Sequence, residues 1–213
     1  GDVVASGVAE TSVLDGFFIT AGQANGGTAP LNQGGGLYDY DAHPSLANLT
    51  FSANLATTQG GGLYNYLGTL ALTNLTFRAN HANSDGGGLY TQSGNLTLED
   101  GWFDGNDAGG SGGGLWNSGG LLTLHEVIFE GNWTGGGFTG GGGLATAGSN
   151  ASLTNVIFRG NQGGYTGGGV YSSGGDPLFT NVLFSGNTAE YGAGIYVAGG
   201  NPQFNGVTLS GNR

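Results

Sequence analysis

The hydrophobic and polar positions of this chain return on a fixed period of 26 residues. Segments starting at Gly34, Gly60 and Gly86 are close copies, and further copies start at Gly112, Gly141, Gly167 and Gly192. The copy from Gly112 carries three extra residues, and the one from Gly167 is one residue shorter. Aligned on their glycine triplets, the copies give an apolar column Leu37, Leu63, Leu89, Leu115, Leu144, Val170 and Ile195. Beside it runs an aromatic column, Tyr38, Tyr64, Tyr90, Trp116, Tyr171 and Tyr196, with Ala145 in the place of one ring. Leu46, Leu72, Leu98, Leu124, Leu153, Phe179 and Phe204 form a third column, and Phe51, Phe77, Phe103, Phe129, Phe158, Phe184 and Leu209 a fourth. Within a copy the apolar residues alternate, as in Leu70-x-Leu72 and Leu75-x-Phe77, which is the period of a half-buried strand. No window has helical spacing, and Gly and Asn interrupt every run.

Three short strands per copy cannot bury an apolar face alone. Stacked in parallel at about 4.8 Å per coil, successive copies share one core and pair every strand with its neighbours. The expectation is an all-β right-handed parallel β-helix, a β-solenoid of about eight coils of ~26 residues with three short strands per coil. Residues 1–213 read as one β-helix domain, with 1–33 an irregular first coil and 34–213 about seven regular coils. In the first coil, Val3 and Val4 start a strand, Ile19 falls where Phe77 stands, and Gly22 replaces a ladder asparagine. Residues Trp133 to Gly140, which hold the extra residues, are expected to bulge as a surface loop. The column Asn54, Asn80, Asn106, Asn132, Asn161, Asn187 and Asn212 reads as a stack of side-chain amides bonding along the axis.

Composition narrows the function. Glycine supplies 50 of the 213 residues without a collagen period, as turns and close coil-to-coil approach require. Fourteen acidic residues against three arginines and no lysine give a net charge of −11, which argues against nucleic acid and anionic membranes as partners. Cysteine and methionine are both absent, which fits an extracellular life. No apolar run is long enough for a transmembrane segment.

The GGGLY triplet followed by Phe-x-x-Asn resembles the GGA(I/L) and FxxN repeats of chlamydial polymorphic outer-membrane proteins and of other bacterial right-handed β-helix surface proteins. Val13 to Thr20 is similar to the VLDGFxIT segment that often opens such helices. The resemblance spans nearly the whole chain. It implies a secreted or surface-displayed passenger, often adhesive.

Candidate chemistry is sparse. Glycoside hydrolysis needs two carboxylates about 5–10 Å apart, and Asp100/Glu126 and Asp104/Glu130 share columns on adjacent coils. Arg78 below and Arg159 above give the second column the order plus, minus, minus, plus. A surface charge ladder is the simpler reading of it. Glu99, Asp100, Asp104 and Asp107 form a weak calcium candidate that lacks the spacing of a known loop. His43, His81 and His125 fall in three columns, which disfavours a metal cluster. Alternation turns Tyr38, Tyr64, Tyr90, Trp116, Tyr171 and Tyr196 outward, as a stripe able to stack on sugar rings or on a protein partner, or else simply on itself. A second outward column, Thr50, Thr76, Trp102, Ile128, Ile157, Leu183 and Thr208, becomes apolar midway.

Two functions are therefore weighed. The first is an extracellular or cell-surface structural and adhesive β-solenoid, non-enzymatic and without a cofactor, presenting a stiff repetitive surface. It would be a segment of a longer surface protein or a fibre subunit, with glycans or a host or cell-surface protein as partners, and end-to-end self-association or flanking coils at its ends. The alternative is a carbohydrate-active enzyme using Asp104 and Glu130. The uniformity of the repeats favours the first.

Overall fold

A computed structural model describes residues 3–6 (backbone only), 12–135 and 140–213. All regular structure in these residues is β, and every strand pairs with its neighbours in parallel. The chain winds as a β-solenoid with three strands per coil. One sheet stacks eight strands, from Val3–Ser6 through Leu63–Tyr66 to Ile195–Val197. A second holds the long strands such as Leu70–Arg78 and Leu96–Asp104. A third is built of two-residue strands such as His81–Ala82.

Register follows the sequence columns. Ile19 pairs with Phe51, Phe51 with Phe77, and Phe77 with Phe103. The six phenylalanine rings from Phe51 to Phe184 are fully buried and stacked, with centroids 4.6–5.1 Å apart. That spacing is the rise of one coil, so a ring repeated at the same place in each copy meets its own kind above and below.

The second sheet solves a problem that strict alternation leaves. Leu70, Leu72, Leu75 and Phe77 all face the core, although Leu72 and Leu75 are three residues apart. The phase slips at Asn74, which takes a left-handed backbone with φ 54°, and the same corner recurs at Asn48, Asp100, Glu126, Asn155 and Asn181. Asn tolerates this conformation because its short amide bonds locally. Between coils, Asn74 Nδ2 donates to Asn48 Oδ1 at 2.7 Å, and Asn181 Nδ2 to Asn155 Oδ1 at 2.7 Å.

The inner asparagine ladder is complete along the described stack. Asn80 Nδ2 donates to Asn106 Oδ1 and to the Phe51 carbonyl, both at 2.9 Å. Its Oδ1 accepts from the Asn54 backbone N–H at 3.1 Å and from Asn54 Nδ2 at 2.9 Å. Every hydrogen-bonding position of a buried primary amide is thereby used. Gly22 does stand at the foot of this ladder, its N–H donating to Asn54 Oδ1 at 2.9 Å.

The glycine triplets close each coil against the next. A Cβ on Gly87 would lie 2.5 Å from the Gly113 carbonyl oxygen and would also strike the Asp107 carbonyl of its own coil. Gly86 has φ +66°, a conformation that favours glycine. Of the expected surface loop, Trp133–Thr134 forms a strand, while 136–139 lie outside the described residues.

Candidate functional site

The outward aromatic column exists in exact register. Tyr38, Tyr64, Tyr90, Trp116, Ala145, Tyr171 and Tyr196 pair in succession. Tyr38–Tyr64 and Tyr64–Tyr90 are stacked at 5.2 and 5.1 Å with planes within 2°. Trp116 departs, lying 68° from Tyr90, and Tyr171–Tyr196 resume parallel stacking at 5.9 Å.

The expectation of an open stripe needs correction at its centre. Tyr64 and Tyr90 are only 6 % exposed, so their faces are spent on each other and on the adjacent corner rather than offered to a ligand. Gln33 hydrogen-bonds to Tyr64 from that corner. The Tyr90 hydroxyl donates to Gln92 Oε1 at 2.9 Å. Burial raises both phenols, that of Tyr90 to about 12. Tyr38, Trp116, Tyr171 and Tyr196 stay half-buried and keep some reachable surface.

The acidic candidates are drawn into separate pairs. Arg78 Nε lies 3.2 Å from Asp104 Oδ2, and Arg159 Nη2 donates to Glu130 Oε2 at 2.7 Å. The predicted plus, minus, minus, plus column is thus two ion pairs placed head to head. The hydrogen bond from Arg159 holds the Glu130 carboxyl below its usual range. A glycosidase acid requires the opposite shift, and each carboxylate here is occupied by a guanidinium. Asp100 and Glu126 are exposed corner residues whose column is fixed by the left-handed turn.

The calcium candidate does not assemble. Asp107 Oδ2 is 2.8 Å from His81 Nδ1, Glu99 Oε1 is 3.9 Å from His125 Nδ1, and Asp104 is held by Arg78. Among the described residues, no group of three or more His, Cys, Asp or Glu side chains is arranged to hold a metal. The second outward column is aligned as expected and half-buried along most of its length, with Trp102 38 % exposed.

Two residues were missed by the sequence reading. Asp39 is fully buried, in an inward column with Asn65, Thr91, Asn117, Thr146 and Ser172. Alternation applied to Leu37-Tyr38-Asp39 would have placed it there. Asp85 lies in the corner before a glycine triplet, where it accepts the Ser111 N–H at 2.8 Å and a hydrogen bond from the Trp116 side chain. Burial raises its carboxyl.

This architecture defines a repeat-built parallel β-solenoid whose interior is set by Phe, Asn and Gly columns. Residues 48–66, 74–92 and 181–198 match the Chlamydia polymorphic membrane protein repeat, so these segments are similar to that repeat. Among curated proteins and solved structures, nothing matches the chain at a significant level. The repeat type and the fold fit a surface structural protein. Among the described residues no helix is long and apolar enough to cross a membrane.

Proposed function

We propose that this chain is an extracellular, adhesive β-solenoid that displays outward side chains on a stiff scaffold. One observation carries the reading. The matched segment 48–66 contains Phe51, Asn54 and the triplet Gly60–Gly62, all of them buried scaffold. Buried positions of this kind set the coil, which leaves the outward positions free to differ from coil to coil, as recognition requires. Glycans or a protein of a host or neighbouring cell are the expected partners. The ends belong to the same proposal: Phe18 is 80 % exposed in the first coil, and Leu209 is 58 % exposed in the last. Further coils or a second copy stacked end to end would cover such surfaces.

The test is binding of the labelled chain to cultured cells and to arrayed glycans. Saturable binding competed by unlabelled chain is expected. Absence of saturable binding to both would refute the adhesive reading. Sedimentation over a concentration series tests the second copy separately, with association expected and a strict monomer at high concentration refuting end-to-end stacking.

A further inference from the structure

The peptide that joins Asn205 to Gly206 differs from the same corner in earlier coils. It lies at the left-handed turn of the second sheet, where Gly206 has φ 64°. There the backbone N–H of one coil donates to a carbonyl of the coil that follows: Gly16 to Ala47 at 3.1 Å, Asn155 to Thr180 at 3.1 Å and Asn181 to Asn205 at 2.7 Å. Among the described residues no carbonyl accepts from Gly206 N–H. The Asn205 side chain is exposed and makes no hydrogen bond with them either.

Asn-Gly occurs at one other place, Asn25–Gly26. There the Gly26 N–H donates to the Leu31 carbonyl at 2.8 Å, and a Cβ on Gly26 would lie 2.3 Å from the Leu31 Cβ. Around Gly206 a Cβ would meet only the Asn181 backbone, at 3.7 Å. The nitrogen of Gly206 is thus both unbonded and open.

An asparagine followed by such a nitrogen can lose its amide without a catalyst. The Gly206 nitrogen attacks Asn205 Cγ, and the new C–N bond closes a cyclic imide. The side-chain amino group leaves as ammonia with the proton of the Gly206 N–H. Water then opens the imide. Breaking the Cγ–N bond leaves aspartate, and breaking the bond at the main-chain carbonyl leaves isoaspartate, with the backbone running through Cγ. Glycine matters because it has no side chain to crowd the attack.

The column shows what the new charge would meet. It runs rung by rung from Asp15 in the first coil, through Glu99 and His125, to Asn205 in the last. A second copy stacked in the same sense puts its own Asp15 one rung beyond Asn205, about 4.8 Å away. The carbonyl of that residue then takes the Gly206 N–H, as the Asn205 carbonyl takes that of Asn181. Contact made first therefore ties up the attacking nitrogen. Conversion made first sets carboxylate over carboxylate, which weakens the contact. We propose that Asn205 is a self-modifying site, converted to aspartate or isoaspartate through Gly206, and that conversion and end-to-end contact oppose each other. The opposition rests on the stacking reading; the conversion does not.

The test incubates the intact chain at low and high concentration and locates deamidation by peptide mass spectrometry. Asn205 should convert several-fold faster than Asn25, faster as pH rises because the attacking nitrogen must shed its proton, and slower at the higher concentration. Asp15→Asn keeps an oxygen for Asn48 Nδ2 and creates another Asn-Gly at the same corner, with its N–H already given to Ala47, so that site should stay unmodified. In sedimentation, Asn205→Asp should associate several-fold more weakly than the parent, and adding Asp15→Asn should restore association. No conversion at Asn205, or earlier conversion at Asn25 or at the new site, overturns the self-modifying corner. Undiminished association of Asn205→Asp overturns its opposition to contact. A parent that stays monomeric at every concentration refutes stacking and with it that opposition, while the conversion stands or falls on the mass spectra.

Discussion

Replacing Asp39 by Asn should stabilise the protein at pH 8 and change little at pH 4. Asp39 is 0 % exposed, and neither carboxylate oxygen has a partner in hydrogen-bonding geometry. Asn65 Oδ1, on the next coil, is also without a donor. Both crowd the same side of Gly68, where a Cβ would lie 2.5 Å from each. A carboxylic acid at residue 39 can donate to Asn65 Oδ1, whereas a carboxylate can only oppose it. Burial pushes the carboxyl from 3.8 up to about 7, with the nearby Ala42 N–H working against the rise and the Asp41 charge adding to it.

The sign follows from linkage. Below about pH 4 the group is neutral in both folded and unfolded chains and costs nothing. Between there and about pH 7 only the unfolded chain ionises, so stability falls as pH rises, and above that the loss levels off. The full rise corresponds to about 4 kcal/mol, and water entry and relaxation reduce this toward about 2. For a chain of this size that is a Tm difference of roughly 5–15 °C. Thermal unfolding of parent and Asp39→Asn from pH 4 to 8 is the assay. Curves that stay parallel, or a parent that gains on the variant with rising pH, would refute the buried neutral acid.

Further outcomes are expected from the scaffold and its surface. Phe103→Ala removes a ring stacked on both sides at 4.7 and 4.6 Å and should cost about 3–5 kcal/mol in chemical unfolding; an unchanged midpoint would place that ring outside the core. Asn106→Ala deprives the Asn80 amide and the Phe77 carbonyl of their partners and should cost about 3 kcal/mol or more, with hydrogen exchange accelerating first in the coils on either side. Asp104→Asn with Glu130→Gln should change stability by less than about 1 kcal/mol, since both ion pairs are solvent-exposed. Loss of a polysaccharide-hydrolysing activity in that double variant would reverse the reading of these carboxylates as a charge ladder.

The coil, its strands and its two inner ladders were legible because each depends on one residue type recurring at one interval. Phe77 and Asn80 need only Phe103 and Asn106 one period later, and sequence spacing reports that directly. The closure of Tyr64 was not legible. Its outward direction is correct, but it is only 6 % exposed and hydrogen-bonds Gln33 from another corner, and alternation along a strand says nothing about what leans over it. The ion pairs of Asp104 and Glu130 could be read from their column, whereas the lowered carboxyl of Glu130 needed the 2.7 Å approach of Arg159. Asp85 escaped notice because its position varies freely, as Gln33, Gln59, Ser111, Gly140, Thr166 and Tyr191 in other copies.

The asparagine ladder also has a direction. Each amide gives one N–H to the amide oxygen of the coil that follows and presents its own oxygen to the coil that precedes, as in Asn187 donating to Asn212. The sense never changes along the stack, and at its foot the Gly22 N–H closes the Asn54 oxygen. A coil laid on Asn212 in the same sense would bring an amide oxygen to its N–H. One laid on it in reverse would set N–H against N–H, so the interior that holds the coils together also dictates the sense in which a following coil can extend them.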